Sequence, residues 1–578
     1  MADYKVPTLE NYLFQPSVKD RDLTAPPGGE AKGDRYLIAS VASGVWTNKD
    51  KYIATYNGAT WDFTTPLEGM IVWVDDENLF YKYDGSNWIV SNPFNKTISG
   101  EIVALTTKTD LVDNDSFLIE DSEVNYTKKK SRWTGIKATL KTYFDGIYQT
   151  LANLSTDIFL GGSFPSDTLY PSQKAVQTYI KIFNGFYGVS WDESADTYTR
   201  TGILVGQTKG VTLPDYLLPI QSKMRRCVVL DNGIVNYYLG ATDSTKKEDM
   251  ITSSNLTGED GQVMVEIPKF YYQYYYVGTV HTWNISLVKL PGFNVHPAFL
   301  SGVTELNYIY VGAYEAILWD ASDSTYVDYI AGKTITPSED IMSSVTGKKP
   351  VANMTRANFR QMSNRRGTGW TGMLYDILSA VQLLYLIEYA SFYSQSVIGA
   401  GISNVTDWAD YNNYYPIAPS GNSNGIGNAT GNTAGSTSCA TEASKYMSYR
   451  GIEQWYGHIW KWLDGININN NRSYICNVVT NLADDTTTNY TDIGVSNIAS
   501  DGYQATLLAI ARGFLPKSIG ATSATKITDY YYQNTGWRVA ISGGVANDGA
   551  VAGGFWLFLA DDSASTYSAI GGRLCFRK

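Results

Sequence analysis

The hydrophobic and polar positions of this chain change period several times along its length, and each change marks a different kind of element. Up to about residue 92 the apolar positions come in short alternating runs: R-Y-L-I-A (Arg35–Ala39), Y-I-A-T-Y (Tyr52–Tyr56) and M-I-V-W-V (Met70–Val74), with turn residues between them. That spacing predicts a small all-β unit. A motif occurs twice inside it, Tyr56-Asn57-Gly58-x-x-Trp61 and Tyr83-Asp84-Gly85-x-x-Trp88. Asn-Gly and Asp-Gly between apolar runs predict tight hairpins, because both residues tolerate positive φ. The hairpins set each Tyr across from its Trp, and the rings are expected to form the core. The unit is an attachment point or a spacer.

The period then lengthens. After an acidic strand-and-turn passage (Asp113–Ser122), Ile136, Leu140, Tyr143 and Ile147 fall on one stripe of a helix within Gly135–Tyr148. A second helix is expected from Tyr170-Pro171-Ser172, with Ser172 as N-cap and Ala175, Val176, Tyr179, Ile180 and Phe183 as its apolar side. Neither stripe lasts long enough for a coiled coil. Short single-stripe helices on a connector cannot bury their apolar faces alone, so copies from other subunits are expected to cover them.

From about Gly188 onward the runs are longer and mixed. Val228–Leu239 predicts a hairpin around Asp231-Asn232-Gly233, and Gly261–Tyr272 a near-continuous apolar and aromatic strand. Thr368–Gln395 is apolar on nearly every side, as in a core helix. The reading is multidomain: an N-terminal arm (1–25), a small all-β module (26–92), a connector with short helices (93–187) and a large α+β C-terminal unit (188–578). A chain of 578 residues exceeds one core, and 44% apolar content excludes wholesale disorder.

A net charge of -11 and a pI near 5.0 argue against a nucleic-acid partner. The Met1–Glu10 stretch has no signal-peptide pattern, and no apolar run reaches the ~18 residues of a membrane span, so neither export by a leader nor membrane insertion is expected. Cys227, Cys439, Cys476 and Cys575 lie far apart and read as buried free thiols. His281, His296 and His458 are isolated, and His296 reads as a satisfied core histidine. No cofactor is expected and no metal ligand is assigned, since no residues stand at diagnostic spacing; calcium could stabilise loops as in some lectins, without an Asp/Asn cluster that marks its site. Asn412–Ala440 is a Gly/Asn/Ser/Thr-rich insertion that either flanks a binding face or seals a subunit contact.

The most distinctive segment is Trp537–Lys578. Between Ile541 and Gly572 it contains no Lys, Glu, Gln or Met, while Phe555, Trp556, Phe558 and Tyr567 stand among small polar residues. Antibody loops combine rigid aromatics with small adaptable groups in this way. The framing runs W-R-V-A-I-S-G-G (Trp537–Gly544) and G-G-R-L-C-F-R (Gly571–Arg577) resemble the ends of the variable region in C-type-lectin-fold proteins diversified by retroelements, such as phage major tropism determinants. In those systems Asn codons of the form AAY are mutated at adenines, which cannot yield Lys, Glu, Gln, Met or Trp. The resemblance implies variable, ligand-binding positions at Val545, Asn547, Asp548, Val551, Phe555, Phe558, Ala560, Asp561, Asp562, Thr566, Tyr567 and Ser568. Trp537, Gly543, Gly544, Trp556, Gly572 and Arg573 would be the scaffold of the site.

More broadly, Val228–Leu239, Gly261–Tyr272, Gly292–Phe299, Tyr308–Ala316, Thr355–Arg360, Thr368–Gln395 and Gly451–Asn467 together resemble the formylglycine-generating-enzyme branch of C-type lectin folds. Enzymes of that branch use a cysteine pair and copper. Here Cys575 stands alone near the chain end, so no catalytic residue is assigned. Glu453, Trp455, Trp460 and Trp462 match the branch's structural signature and read as core and loop-bracing residues. A glycan-cleaving spike would need two carboxylates about 5–10 Å apart, for which Asp548, Asp561 and Asp562 are the candidates. The small β module and the P-S-Q-K-A-V-Q-T-Y-I run resemble segments of phage tail proteins.

The resemblances imply a phage tail fibre or spike that binds a bacterial surface glycan or protein, joins other tail proteins through its N-terminal region, forms a homotrimer and resides in the virion tail. The rivals are a structural tail component and a glycan-cleaving spike.

Overall fold

In the computed structural model of the chain, which describes residues 13–91, 110–121, 127–147, 154–155, 170–171, 185–435 and 445–577, both repeated motifs fold as hairpins. Tyr56 pairs with Trp61 and Tyr83 with Trp88, their ring centroids 5.1 and 5.3 Å apart. The turn chemistry is local. Asn57 Oδ1 accepts the N–H groups of Ala59 and Thr60, and Asp84 Oδ1 those of Ser86 and Asn87. Gly58 and Gly85 then take φ of +98° and +93°, where a Cβ is disfavoured.

The chain divides into two units, Met1–Thr142 and Tyr143–Lys578. In the first, the strands Arg35–Leu37, Ile53–Tyr56 and Trp61–Thr64 form one sheet, and Phe14–Val18, Ile71–Val74, Leu79–Tyr83 and Trp88–Val90 form another. Trp46, Ile53, Val72 and Val74 are fully buried beneath them, whereas Trp61 and Trp88 are only half-buried at the rim. Phe14–Val18 pairs in parallel with Ile71–Val74. The arm expected over 1–25 therefore contributes a strand to this module. Ser116–Asp121 pairs with Thr127–Arg132, followed by the helix Trp133–Ile147. The second expected helix, including Ser172 and its apolar side, lies outside the described residues.

The C-terminal unit is mostly β-sheet with few helices. Its central six-stranded sheet runs Val235–Tyr238, Arg225–Val229, Gln262–Pro268, Tyr308–Gly312, Leu574–Phe576 and Trp370–Gly372. The last strand of the chain thus fills a slot between two strands more than two hundred residues upstream. A nine-stranded sheet contains Trp460–Asn469, Trp537–Ser542, Leu557–Leu559 and Tyr530–Gln533 as consecutive neighbours.

Two expectations are corrected. Gly261–Tyr272 is not one strand: it breaks at Lys269-Phe270, and Tyr271–Val277 joins a different, five-stranded sheet. Phe270 is fully buried at the corner, and Pro268 offers no N–H to continue the ladder. Thr368–Gln395 is not one helix either. Gly367 and Gly369, both at positive φ, precede a short strand at Trp370–Gly372, and the helix spans Tyr375–Tyr389. Every residue of that helix is buried. Three of its polar side chains are each satisfied. Asp376 receives two hydrogen bonds from Arg512 (2.7 and 2.5 Å), Gln382 donates to Gly554 O (2.8 Å), and Glu388 receives Arg450 (2.6 Å) and Tyr449 OH (3.1 Å).

Candidate functional site

The terminal segment leaves the strand Trp537–Ser542, crosses a loop to Leu557–Leu559, crosses a second loop, and returns through Ile570–Gly571 to Leu574–Phe576. Its main chain is held from outside. Gln395 donates to Gly549 O and Ala552 O, Ser403 O accepts Gly549 N, and Val405 N reaches Ala546 O. Gly554 N donates to Ser394 Oγ while Gln382 takes its carbonyl, and Phe555 N donates to Asp529 Oδ2 (2.6 Å). Asn353 N serves Tyr567 O and Ile570 O, and Trp460 N serves Ala569 O.

Close approach fixes two positions at glycine. A Cβ on Gly553 would stand 2.2 Å from Asp529 Oδ1, and one on Gly554 would stand 2.5 Å from the Trp455 ring. These bonds and contacts involve backbone, so they persist when the loop side chains change.

The residues named as variable do not all reach the surface. Val545 and Phe555 are 3% exposed and pack inside, Val545 beside Ile417 and Ala418, Phe555 against Phe392 and Phe514. Their side chains are therefore withdrawn from the candidate contact set. Asn547, Asp562, Thr566 and Tyr567 are exposed; Asp548, Val551, Phe558, Ala560, Asp561 and Ser568 are half-buried. Of the scaffold residues, Trp556 and Arg573 are buried, Gly543, Gly544 and Gly572 are enclosed, and Trp537 is half-buried. Arg573 donates to the carbonyls of Gly312, Glu453 and Gln454, tying the closing strand to the centre of the unit.

Phe558, Asp561 and Tyr567 meet Trp460 and Ile541 around a cavity of about 250 Å³. Tyr567 is 46% exposed at its mouth. Trp460 lies 6.2 Å from Phe558 and 6.1 Å from Tyr567. The aromatic row continues beyond the segment, Phe558 to Tyr532 (5.0 Å), Tyr532 to Tyr530 (4.8 Å) and Tyr530 to Tyr503 (5.0 Å), all three tyrosines half-buried. Sequence reasoning missed these tyrosines. The alternation in T-D-Y-Y-Y-Q was the available signal, but which face it served depended on a parallel neighbour at Leu557–Leu559.

Burial pushes the Asp561 carboxyl up to about 6, assisted by the adjacent charge of Asp562 and opposed by Tyr567 OH and Arg538. Asp548 is also raised by burial, against which the Val545 N–H and the Trp460 indole act. Half-exposed aromatics beside a carboxylate suit a ligand with an apolar face and a hydrogen-bonding edge.

The insertion Asn412–Ala440 is described up to residue 435. Ile417 and Ala418 lie in one buried cluster with Val545, Ala546 and Ala569, and Ser568 Oγ donates to Asn413 O (3.0 Å). Glu453 accepts Gly421 N, Ser423 N and Ser423 Oγ at 2.6–2.8 Å, and so braces this insertion. His458 Nε2 accepts Ile417 N and Ala418 N, which leaves Nδ1 to donate to Glu315 (2.5 Å). His296 accepts Ala298 N and is held near 3 by burial, and His281 pairs with Glu193. Each histidine thus has a structural partner.

Burial pushes the Cys575 thiol up to about 12, so it holds its proton at neutral pH. Cys227 and Cys476 are also buried free thiols, and Cys439 lies outside the described residues. Among the described residues no group of three His, Cys, Asp or Glu is placed to hold a metal, and no helix is long and apolar enough to cross a membrane.

Residues 9–89 match a family described as a protein of unknown function (DUF2793). The matched span takes in both hairpins and the strand Phe14–Val18. No curated protein matches the chain.

Proposed function

We propose that this chain is a phage tail fibre or spike protein that adheres to a bacterial surface glycan or protein through a C-type lectin-fold C-terminal unit carrying a diversified terminal segment. The observation that supports it most is the way that segment is held: its main chain is fixed by side chains and backbone from outside it, while ten of the twelve named side chains reach or approach solvent. A frame of that kind tolerates change at the displayed positions, because surface substitutions usually shift stability by only about 0.5 kcal/mol. The aromatic row supplies contact area at low entropic cost, and Asp561 supplies a directional acceptor.

In this reading the N-terminal module, matched to a family of unknown function, joins other tail proteins, and a homotrimer multiplies weak contacts by ~10²–10⁴ in avidity. The chain resides in the virion tail, contacts no nucleic acid and acts by adhesion rather than catalysis.

Deep sequencing of the codons for Trp537–Lys578 in a propagated population tests the diversification. Substitutions are expected at Asn547, Asp548, Phe558, Asp561, Asp562 and Tyr567, with Gly553, Gly554 and Arg573 constant. An invariant segment would sink it and favour the structural tail component.

Adhesion is tested separately. Tyr567→Ala should weaken binding of the purified chain to host cells at least ~30-fold if the ring is a hot spot worth about 2 kcal/mol, with unfolding unchanged. A contact made to the Asp561 carboxylate should weaken as pH falls through about 6, and Asp561→Asn should abolish that pH dependence. Equal binding by wild type and Tyr567→Ala would remove the ring from the contact surface.

A further inference from the structure

We infer that the C-terminal unit has a second ligand site, for a neutral saccharide, in the cleft between the turn at Asp231, the loop at Gly258 and the strands Ile317–Asp320 and Thr325–Val327. The cleft has a volume of about 410 Å³ and shares no lining residue with the cavity at Tyr567. That volume lies within the ~300–1,000 Å³ typical of small-molecule sites. Nothing in the adhesion reading requires it, so it stands on its own observations.

Sugar rings present an apolar C–H face and a rim of hydroxyls. The cleft offers a counterpart to each. Trp319 and Tyr326 are direct cross-strand partners with ring centroids 4.7 Å apart at 71°, and both are half-buried. Neither ring belongs to the buried clusters of the unit or is among the residues packed against them. The Gly258 loop lies against Tyr326 so closely that a Cβ there would stand 2.5 Å from the ring, which holds the tyrosine in place.

The polar rim is oriented by bonds outside the cleft. Gln262 is 1% exposed and gives its oxygen to Ser344 N (2.8 Å). With its oxygen engaged there, the amide nitrogen is the donor that Gln262 has left to offer in the cleft it lines. Arg366 is held by Met342 O (2.9 Å), Ser343 Oγ (2.5 Å) and Asp231 Oδ1 (2.6 Å), leaving Asp231 Oδ2 open. Glu259 accepts Asn255 Nδ2 on Oε2 (2.8 Å), leaving Oε1 open.

One amide donor and two carboxylate oxygens at the exposed rim are what a pair of vicinal hydroxyls needs. The charge balance excludes acidic sugars: Asp231 and Glu259 outnumber Arg366, so a uronate or phosphate would meet net repulsion.

Saturation-transfer NMR on the intact chain tests this with methyl glycosides of glucose, galactose, mannose and N-acetylglucosamine, and with glucuronate as the acidic comparison. Transfer to at least one neutral glycoside is expected. It should vanish in Trp319→Ala, persist in Trp319→Phe, and weaken about tenfold in Gln262→Met, which keeps the volume but removes the donor. It should be unchanged in Tyr567→Ala. Binding that survives Trp319→Ala, disappears with Tyr567→Ala, favours glucuronate, or is absent for every neutral glycoside would overturn the inference.

Discussion

Replacing Glu388 by alanine is expected to lower the stability of the C-terminal unit by about 3–5 kcal/mol. Glu388 is fully buried in the helix Tyr375–Tyr389, and its carboxylate receives Arg450 Nε and Nη2 together with Tyr449 OH. Truncation leaves the Arg450 guanidinium enclosed, with the exposed Asp215 as its remaining charged partner among the described residues (2.7 Å). Most of the loss is the desolvation of that orphaned charge, not the worth of the ion pair. The double variant Glu388→Leu, Arg450→Met should therefore recover most of the stability, since two apolar groups of similar volume need no partner. Urea unfolding of the three proteins measures this. A double variant as unstable as the single one would show that packing, not charge, sets the cost.

Asp529 is expected to make stability fall with rising pH. It is fully buried, accepts Phe555 N and Thr528 Oγ1, and burial pushes its carboxyl up to about 8 from an ordinary 3.8. The folded chain thus keeps a proton that the unfolded chain has released. The stabilising contribution is complete below about pH 4, declines by about 1.4 kcal/mol per unit as pH rises, and is gone above about pH 8. Asp529→Asn copies the neutral acid and does not titrate. Between pH 5 and pH 8 the stability of wild type relative to Asp529→Asn should drop by about 4 kcal/mol. Parallel pH profiles for the two proteins would mean that the carboxyl ionises in the fold. Because Asp529 holds Phe555 and abuts Gly553, the same group ties the terminal segment to pH.

Several elements were legible because their causes are local. The Asn-Gly and Asp-Gly turns write their own hairpins, and the Tyr–Trp pairs follow from a two-residue period. The buried helix announces itself by apolar residues on every side, though its polar exceptions gave no hint of their partners. Gly367 and Gly369, at the head of the apolar run, mark the break that delays the helix to Tyr375.

The candidate site was legible only in part. The terminal segment stood out by composition, and the resemblance pointed to its two loops and, as core and loop-bracing residues, to Glu453 and Trp460. Burial did not follow from the same pattern. Val545 and Phe555 look no different in sequence from Val551 and Phe558, yet the first two face inward.

What the chain determined by itself is therefore its turns, its helix periods and the unusual alphabet of Trp537–Lys578, each set by neighbours a few residues away. What only the tertiary structure decided is which of those side chains face solvent and what stands beside them. Tyr532 meets Phe558 through a parallel pairing, and Leu574–Phe576 closes a sheet begun at Arg225. Such contacts join strands distant in sequence, and one-residue shifts in their register would turn every side chain to the opposite face.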